Sequence, residues 1–157
     1  PINRIFDAAD LVGRPGAEAS QVGLLRDDDA AVRYWGVVGL RSARAQSDTA
    51  KEALVAALRD VSPAVRIEAA AALIEAGAEA SAFAVLEEAL GCGQGDAAVH
   101  AARTLQLLGE KARPALPAMK RQLAAASKKD SKLSANVAMY LRFALTPAVD
   151  ALENGDG

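Results

Sequence analysis

Residues 29–33 read DAAVR, and three variants follow at intervals of 33 or 34 residues: SPAVR at 62–66, DAAVH at 96–100 and DSKLS at 130–134. Each phrase opens with Asp or Ser, whose side-chain oxygen can accept hydrogen bonds from free N–H groups at a helix N-terminus. An apolar residue stands three positions later, and a leucine eight positions further on lies on the same helix face. The phrases therefore predict four copies of one helix. The predicted N-caps are Asp29, Ser62, Asp96 and Asp130, and the leucines are Leu40, Leu73, Leu107 and Leu141.

Another leucine-containing helical stretch precedes each copy. This stretch is the first helix of a pair, and the copy that follows it is the second helix. These stretches end near Leu25, Leu58, Leu90 and Leu123, with Asp48 and Ser81 as candidate N-caps. Glycine breakers at 77, 91–95 and 109 separate the helices. Each copy is therefore predicted to be an antiparallel helix pair. Extra helical pieces are predicted near 2–11 and 147–152, with residues 1–153 forming one domain and 154–157 a disordered tail.

The composition agrees with an all-α fold. Of the 157 residues, 52% are hydrophobic and only 4% aromatic, and alanine and leucine, both good helix formers, recur throughout. One helix pair cannot bury its apolar stripe alone, but stacked pairs share a continuous core. The interpretation is an α-solenoid of about four pairs. An up-and-down helix bundle is the alternative, although it gives no reason for one phrase to recur at constant spacing.

The D-x-x-V-R phrase opening the second helix of a pair resembles the HEAT family, especially its short bacterial HEAT-like repeats. The resemblance covers most of the chain. It implies a ladder of Asp and Arg side chains between neighbouring repeats, here Asp29, Arg33, Arg66 and Asp96. His100 and Ser134 stand where that pattern has arginine, so the ladder is expected to fail towards the C-terminus.

Three stretches have a narrower resemblance: INRIFDAADL at 2–11, DDAAVRYWG at 28–36 and GEKARPALP at 109–117. They are similar to the helical-repeat tail that follows the catalytic domain in some bacterial sulfatases. The C-x-P-x-R or S-x-P-x-R phrase of a sulfatase nucleophile does not occur, so the resemblance implies the non-catalytic tail. It also implies a periplasmic or extracellular location. Without this resemblance, a cytoplasmic location is the expectation. Because the chain starts at Pro1 without methionine, we expect a fragment of a longer protein.

Charge limits the possible partners. The formal net charge is −2, which makes a general nucleic-acid binder unexpected. The stretch 100–142 is nevertheless basic, which indicates either a solvated helix face with one lysine-rich loop or, as the alternative function, polyanion recognition, of nucleic acid or a sulfated polysaccharide. No apolar run reaches the roughly 18 residues of a membrane span, so a soluble protein is predicted. The basic residues are Arg103, Lys111, Arg113, Lys120, Arg121, Lys128, Lys129, Lys132 and Arg142.

Catalysis and cofactor binding are not expected of this fragment. His100 and Cys92 are the only histidine and cysteine, whereas zinc sites usually draw several such ligands. The glycines at 91–95 lack the G-x-x-x-x-G-K-[ST] phrase of a phosphate loop. Action on a modified base or bilin is a third hypothesis, but it requires a paired acid–base or cysteine site that the sequence does not offer. No metal or cofactor is therefore predicted.

The candidate binding residues lie on the second helices. Tyr34 and Trp35 follow Arg33, and aromatic and arginine side chains dominate protein interface hot spots. Trp35 has an alternative role as a bulky ring filling an alanine-rich core. We expect a non-catalytic structural or protein-interaction module whose partner is a protein surface or its parent catalytic domain. The candidate groove residues are Arg33, Tyr34, Trp35, Arg66, Glu68, His100 and Arg103.

Overall fold

A computed structural model describes residues 2–77, 80–129 and 131–155. It is 76% helical, and no strand occurs in these ranges, which confirms the predicted all-α class. A 3-10 helix, Gly109–Ala115, lies between the seventh and eighth α-helices. The α-helices are α1 (Ile2–Ala9), α2 (Glu18–Leu24), α3 (Ala30–Ser42), α4 (Asp48–Ala57), α5 (Pro63–Glu75), α6 (Ala80–Gly91), α7 (Gly95–Leu108), α8 (Leu116–Ala126) and α9 (Ala135–Asn154).

The chain divides into two compact units, Pro1–Ala82 and Phe83–Gly157. In the first unit α3 packs against α1, α2 and α5, and α4 packs against both α2 and α5. In the second unit α7 and α8 both pack against α9, and the 3-10 helix contacts all three. Each unit therefore has its own packed helices. That residues 1–153 form one domain stays a prediction.

The first two predicted N-cap positions are confirmed, but only Asp29 makes the predicted side-chain hydrogen bond to its helix, whereas Ser62 makes no such bond. The Asp29 carboxylate accepts a hydrogen bond from the backbone N–H of Ala31 at 2.9 Å and precedes α3. Ser62 has the extended backbone of an N-cap and precedes α5, whose first residue is Pro63. Proline suits this position because the first helical N–H has no partner within the helix. Leu40 and Leu73 are buried, as the spacing predicted.

The third predicted cap, Asp96, is wrong. Helix α7 begins at Gly95 with Gln94 as its N-cap, so Asp96 lies inside its first turn. The reason is the left-handed turn at Gly93, whose φ is +75°, which lets the helix start directly after it. The predicted anchor Leu107 is accordingly 61% exposed, and Leu105 is buried instead.

The fourth copy also differs from its prediction. Asp130 lies outside the described residues, and the N-cap of α9 is Ser134, whose hydroxyl accepts from the N–H of Val137 at 3.3 Å. Leu133 therefore precedes the helix, although Leu141 is buried as expected. The predicted separate end helix at 147–152 is wrong, because α9 continues through Pro147 to Asn154.

Among the first helices, α4 has Ser47 rather than Asp48 as its N-cap, and the Ser47 hydroxyl accepts from the N–H of Ala50 at 3.1 Å. Ser81 lies within α6 and cannot be its N-cap. The predicted N-terminal end helix is present as α1. The tail prediction falls partly on 156–157, which lie outside the described residues.

Counted from their N-caps, α3, α5 and α7 share one burial pattern. Positions three, four, seven, eight, ten and eleven after the N-cap are buried in α3 and α7. In α5 the same positions are buried except position four, Arg66, which is half-buried. The N-caps are 33 and then 32 residues apart, and Ser134 follows after 40. In α3 these positions are Val32, Arg33, Gly36, Val37, Gly39 and Leu40, and in α7 they are Ala97, Ala98, Ala101, Ala102, Thr104 and Leu105.

Helices α2 and α3 approach closely at two glycines. A Cβ atom on Gly39 would lie 2.6 Å from Nε2 of Gln21, and one on Gly36 would lie 2.6 Å from Cδ1 of Leu25. The buried Gln21 amide donates to the carbonyl of Leu11 at 2.9 Å. Glycine at both positions therefore makes room for α2 and for the amide that ties it to the segment after α1.

Candidate functional site

Arg33 is a structural link between two turns. Its Nε and Nη2 donate to the two carboxylate oxygens of Asp60 at 2.7 and 2.8 Å, and its Nη1 donates to the carbonyls of Asp27 and Asp28 at 2.9 and 3.0 Å. The residue is only 9% exposed. Hydrogen bonding with Asp60 raises the pKa of Arg33, and the same bond lowers the pKa of Asp60. Little of the Arg33 guanidinium is left to contact a partner.

Arg66 repeats part of this arrangement one helix pair later. Its Nη1 donates to the carbonyls of Asp60 and Val61 at 2.8 and 3.3 Å, six and five residues back, as Nη1 of Arg33 does. Oδ1 of Asp60 also accepts from the N–H of Ser62 at 2.8 Å, two residues on. Oδ1 of Asp27 accepts from the N–H of Asp29 at the same distance. Consecutive turns are therefore hydrogen-bonded in the same way.

The acidic residues expected in the Asp–Arg ladder are not the ones that bind arginine. The family resemblance gave Asp29 and Asp96 this role, but Asp29 caps α3, and the carboxylate that binds Arg33 belongs to Asp60. Asp96 lies within the first turn of α7. Counted from the N-caps of α7 and α9, the positions equivalent to Arg33 are Ala98 and Ala138, both buried. An arginine at this position thus occurs in α3 and α5 alone among the four helices compared.

Arg41 is a residue that the sequence reasoning missed. Its Nη1 donates to Glu68 at 2.8 Å, and its Nη2 and Nε donate to Glu75 at 2.6 and 3.1 Å. Hydrogen bonding to Glu75, and then to Glu68, raises the pKa of Arg41. Arg41 precedes Glu68 by 27 residues, the separation between Arg33 and Asp60. The sequence alone gave no signal for Arg41, because both pairings depend on how the helices pack.

Tyr34 lies beside this ion-pair group. Burial raises the pKa of Tyr34, the charge of Glu68 raises it further, and Arg41 lowers it. We call the group of Tyr34, Arg41, Glu68 and Glu75 the α3–α5 surface, although Glu68 is itself buried, at 7% exposure. The ring of Tyr34 meets that of Trp35 edge to face, with centroids 5.7 Å apart and planes at 77°. Trp35 is half-buried, which is compatible with both roles considered for it.

His100 and Arg103 lie on α7 in the second unit. His100 is half-buried, and Arg103 is exposed with Nη1 donating to Oε1 of Gln106 at 2.6 Å. The structure thus brings Tyr34 and Glu68 together in the first unit. That all seven candidates line one groove stays a prediction.

Several cations of the basic stretch are bound within the second unit. Arg113 donates to Glu110 at 2.7 Å and to the carbonyl of Leu152 at 2.9 Å, and Lys120 forms an ion pair with Glu153. Other exposed cations of this stretch lie on α8 and in its connection to α9. They include Arg121 on α8, and Lys128, Lys129 and Lys132 in the connection.

An open cleft of about 310 Å³ lies between α2 and α4 in the first unit. Its walls include Arg26, Glu52 and Asp60 together with apolar side chains. Because the Asp60 carboxylate is already bound to Arg33, the cleft has no uncommitted pair of acids for acid–base chemistry at that end.

Within 2–77, 80–129 and 131–155, no three His, Cys, Asp or Glu side chains are grouped so that they could hold a metal ion. Cys92 is exposed, and its thiol donates to the carbonyl of Ala89 at 3.1 Å. None of the described helices has the length and apolar character that crossing a membrane requires. Comparisons with protein-family models, curated proteins and solved structures found no match for this chain.

Proposed function

We propose that this chain is a non-catalytic structural and protein-interaction module, built as a HEAT-like α-solenoid of about four helix pairs. The single observation that supports it best is the matching pair of turns at Arg33 and Arg66. Each arginine binds the carbonyls six and five residues before it, and Arg33 also reaches the carboxylate of the following turn. Contacts between successive copies of one unit are the source of stability in repeat proteins.

The burial pattern counted from the N-caps gives further support. It recurs in α3, α5 and α7 even though the amino acids differ, with arginine, valine and glycine in one helix replaced by alanine in another. A bundle of unrelated helices does not need this recurrence. Stacked pairs do, because each second helix would contact equivalent neighbours.

The partner in this proposal is a protein surface, and the resemblance to sulfatase tails suggests the catalytic domain of a larger parent protein. The contact would centre on the α3–α5 surface with Trp35. Tyrosine, tryptophan and arginine are the residues that contribute most to binding at protein interfaces. Tyr34 and Trp35 are partly exposed there, whereas Arg33 is committed to Asp60.

A site-specific photo-crosslinker tests this proposal. We would replace Tyr34 with a benzophenone amino acid in the organism that makes the protein, irradiate the cells and identify adducts by mass spectrometry. We expect one discrete protein adduct that is lost in Trp35→Ala. A matched control is the same crosslinker at Val61, an 87% exposed position in the same unit. No adduct at Tyr34, or the same adducts from both positions, would reject the α3–α5 surface.

Polyanion recognition is the second candidate function. The observation that favours it is the group of exposed lysines at 128, 129 and 132. Binding through such residues releases counterions, so affinity should fall steeply as salt rises. Elution of the intact chain from heparin and DNA columns measures this. Passage through both columns at low salt would eliminate the candidate.

A further inference from the structure

Helix α9 exposes three large apolar side chains next to one another. Met139, Tyr140 and Phe143 are 48%, 53% and 76% exposed, and we call them the α9 surface. The chain contains only three phenylalanines, two tyrosines and one tryptophan, so two of its six aromatic residues stand here. Contiguous exposed apolar groups commonly mark interaction sites.

The α9 surface points away from the helices that α9 packs against. Met139 and Phe143 are four residues apart and share one helix face, whereas the buried Leu141 and Leu145 lie on the opposite face. Helices α7 and α8 pack on α9 within the second unit. About half of Met139 and Tyr140 and most of Phe143 therefore stay uncovered on this face of α9.

Cations precede and adjoin this surface along the chain. Nη1 of Arg142, in the third turn of α9, donates to the carbonyl of Ala126 at 2.7 Å, which ties the end of α8 to this part of α9. The exposed lysines 128, 129 and 132 lie in the connection between these two helices. With Arg142 they form what we call the basic cluster. The sequence places one acid, Asp130, within the same stretch.

We propose that the α9 surface and the basic cluster together bind an acidic amphipathic segment of a partner protein. The apolar side chains of such a segment would cover the α9 surface, and its carboxylates would meet the basic cluster. Methionine and aromatic side chains are enriched at protein interfaces, and charge complementarity fixes the orientation of the partner. This inference rests on the proposed role as an interaction module, but it uses a different surface.

The charge along α9 favours a protein segment over an anionic membrane. Asp150 is exposed and lies seven residues after Phe143, on the same helix face. A flat anionic surface that contacted Phe143 would also meet this carboxylate, whereas a peptide can place its acids at the basic end only. Duplex nucleic acid would bind the basic cluster through its phosphates and leave the α9 surface uncovered, whereas single strands can stack bases on Tyr140 and Phe143, so single-stranded DNA is included in the test.

Selection from a phage-displayed library of random peptides against the full chain tests the proposal, with affinities measured by fluorescence anisotropy. We expect enriched peptides that combine Asp or Glu with apolar residues at helical spacing. Phe143→Ser should weaken their binding by about tenfold or more, since a large apolar contact is lost. Replacing the three lysines with glutamine should weaken binding at low salt and have little effect at high salt.

Val61→Ser is the matched control, because it removes an exposed apolar side chain from the first unit and should leave binding unchanged. Circular dichroism verifies that every variant is folded. The proposal is overturned if no acidic, apolar peptides are enriched or if they bind Phe143→Ser as tightly as the parent chain. It is equally overturned if phosphatidylserine vesicles or DNA, duplex or single-stranded, and not the peptides, show the dependence on Phe143. None of these results changes the crosslinking outcome at Tyr34, so the two proposals fail separately.

Discussion

Replacing Asp60 with asparagine should destabilise the first unit more than any isosteric change at an exposed acid. The side chains of Asp60 and Arg33 are each 11% exposed and joined by two hydrogen bonds. Asparagine can still accept from the N–H of Ser62, but it removes the charge that faces the guanidinium. Breaking a fully buried pair costs about 3–5 kcal/mol. Because Arg33 keeps its two carbonyl partners and the pair is not fully enclosed, we expect about 2 kcal/mol for Asp60→Asn.

Asp27→Asn is the matched control. Asp27 makes the same bond to the backbone two residues on, but its ion-pair partner is Arg4, and the two side chains are 21% and 54% exposed. Exposed ion pairs contribute about 0–1 kcal/mol, so we expect a cost of about 0.5 kcal/mol. Urea unfolding followed by circular dichroism measures both variants. Equal costs for Asp27→Asn and Asp60→Asn would refute the structural role assigned to Arg33.

The same pair gives a pH dependence with a definite sign. The folded-state pKa of Asp60 is lowered, chiefly by its bond with Arg33. Its contribution to stability is therefore complete above the unfolded pKa of about 3.9 and is lost as the pH falls through the lower folded pKa. The difference in unfolding free energy between the parent chain and Asp60→Asn should accordingly shrink only below about pH 4. A difference that shrinks between pH 7 and pH 5 would contradict this assignment.

Three further outcomes are expected. Gly39→Ala should cost about 2 kcal/mol of unfolding free energy in urea, because the added Cβ would overlap the buried amide of Gln21. Gly23→Ala, whose Cβ would have no neighbour within 4 Å, should be neutral or stabilising. Equal costs would contradict the close approach of α2 and α3. Ser134→Ala should cost about 1 kcal/mol as the loss of the α9 N-cap, and no loss of stability would place the helix start elsewhere. Ultraviolet titration should show that the pKa of Tyr34 lies above its usual value, mainly because of burial, and Glu68→Gln should lower that pKa. An unchanged Tyr34 pKa in Glu68→Gln would contradict the placement of Glu68 close to Tyr34.

The sequence predicted the all-α class correctly, and it predicted the starts of α3 and α5. Asp29 and Ser62 are each followed three residues later by a buried valine, so cap and apolar spacing agree. It failed at α7 because Leu105 and Leu107 offer two similar choices of buried leucine, and only the turn at Gly93 decides between them. In α9, a serine four residues after the predicted cap is an equally good cap, so composition alone could not place the start.

The candidate site was predictable only in part. The sequence identified Tyr34 and Glu68 but not Arg41, since pairing between residues 27 and 34 positions apart becomes evident only when the helices are packed. It gave Arg33 a binding role because the partner that buries it, Asp60, stands outside the repeated phrase. The α9 surface was missed because Met139, Tyr140 and Phe143 have the spacing of a core face, and only the packing of α7 and α8 shows that they point outward.

The central claim is that successive helix pairs pack through their second helices. Nuclear Overhauser contacts between methyl groups of the isotope-labelled full chain measure this most directly. We expect contacts from α3 to α5 and from α7 to α9, in addition to those from α2 to α3 and from α8 to α9. A spectrum in which α3 and α7 contact only the helices directly before them in the chain would contradict the claim.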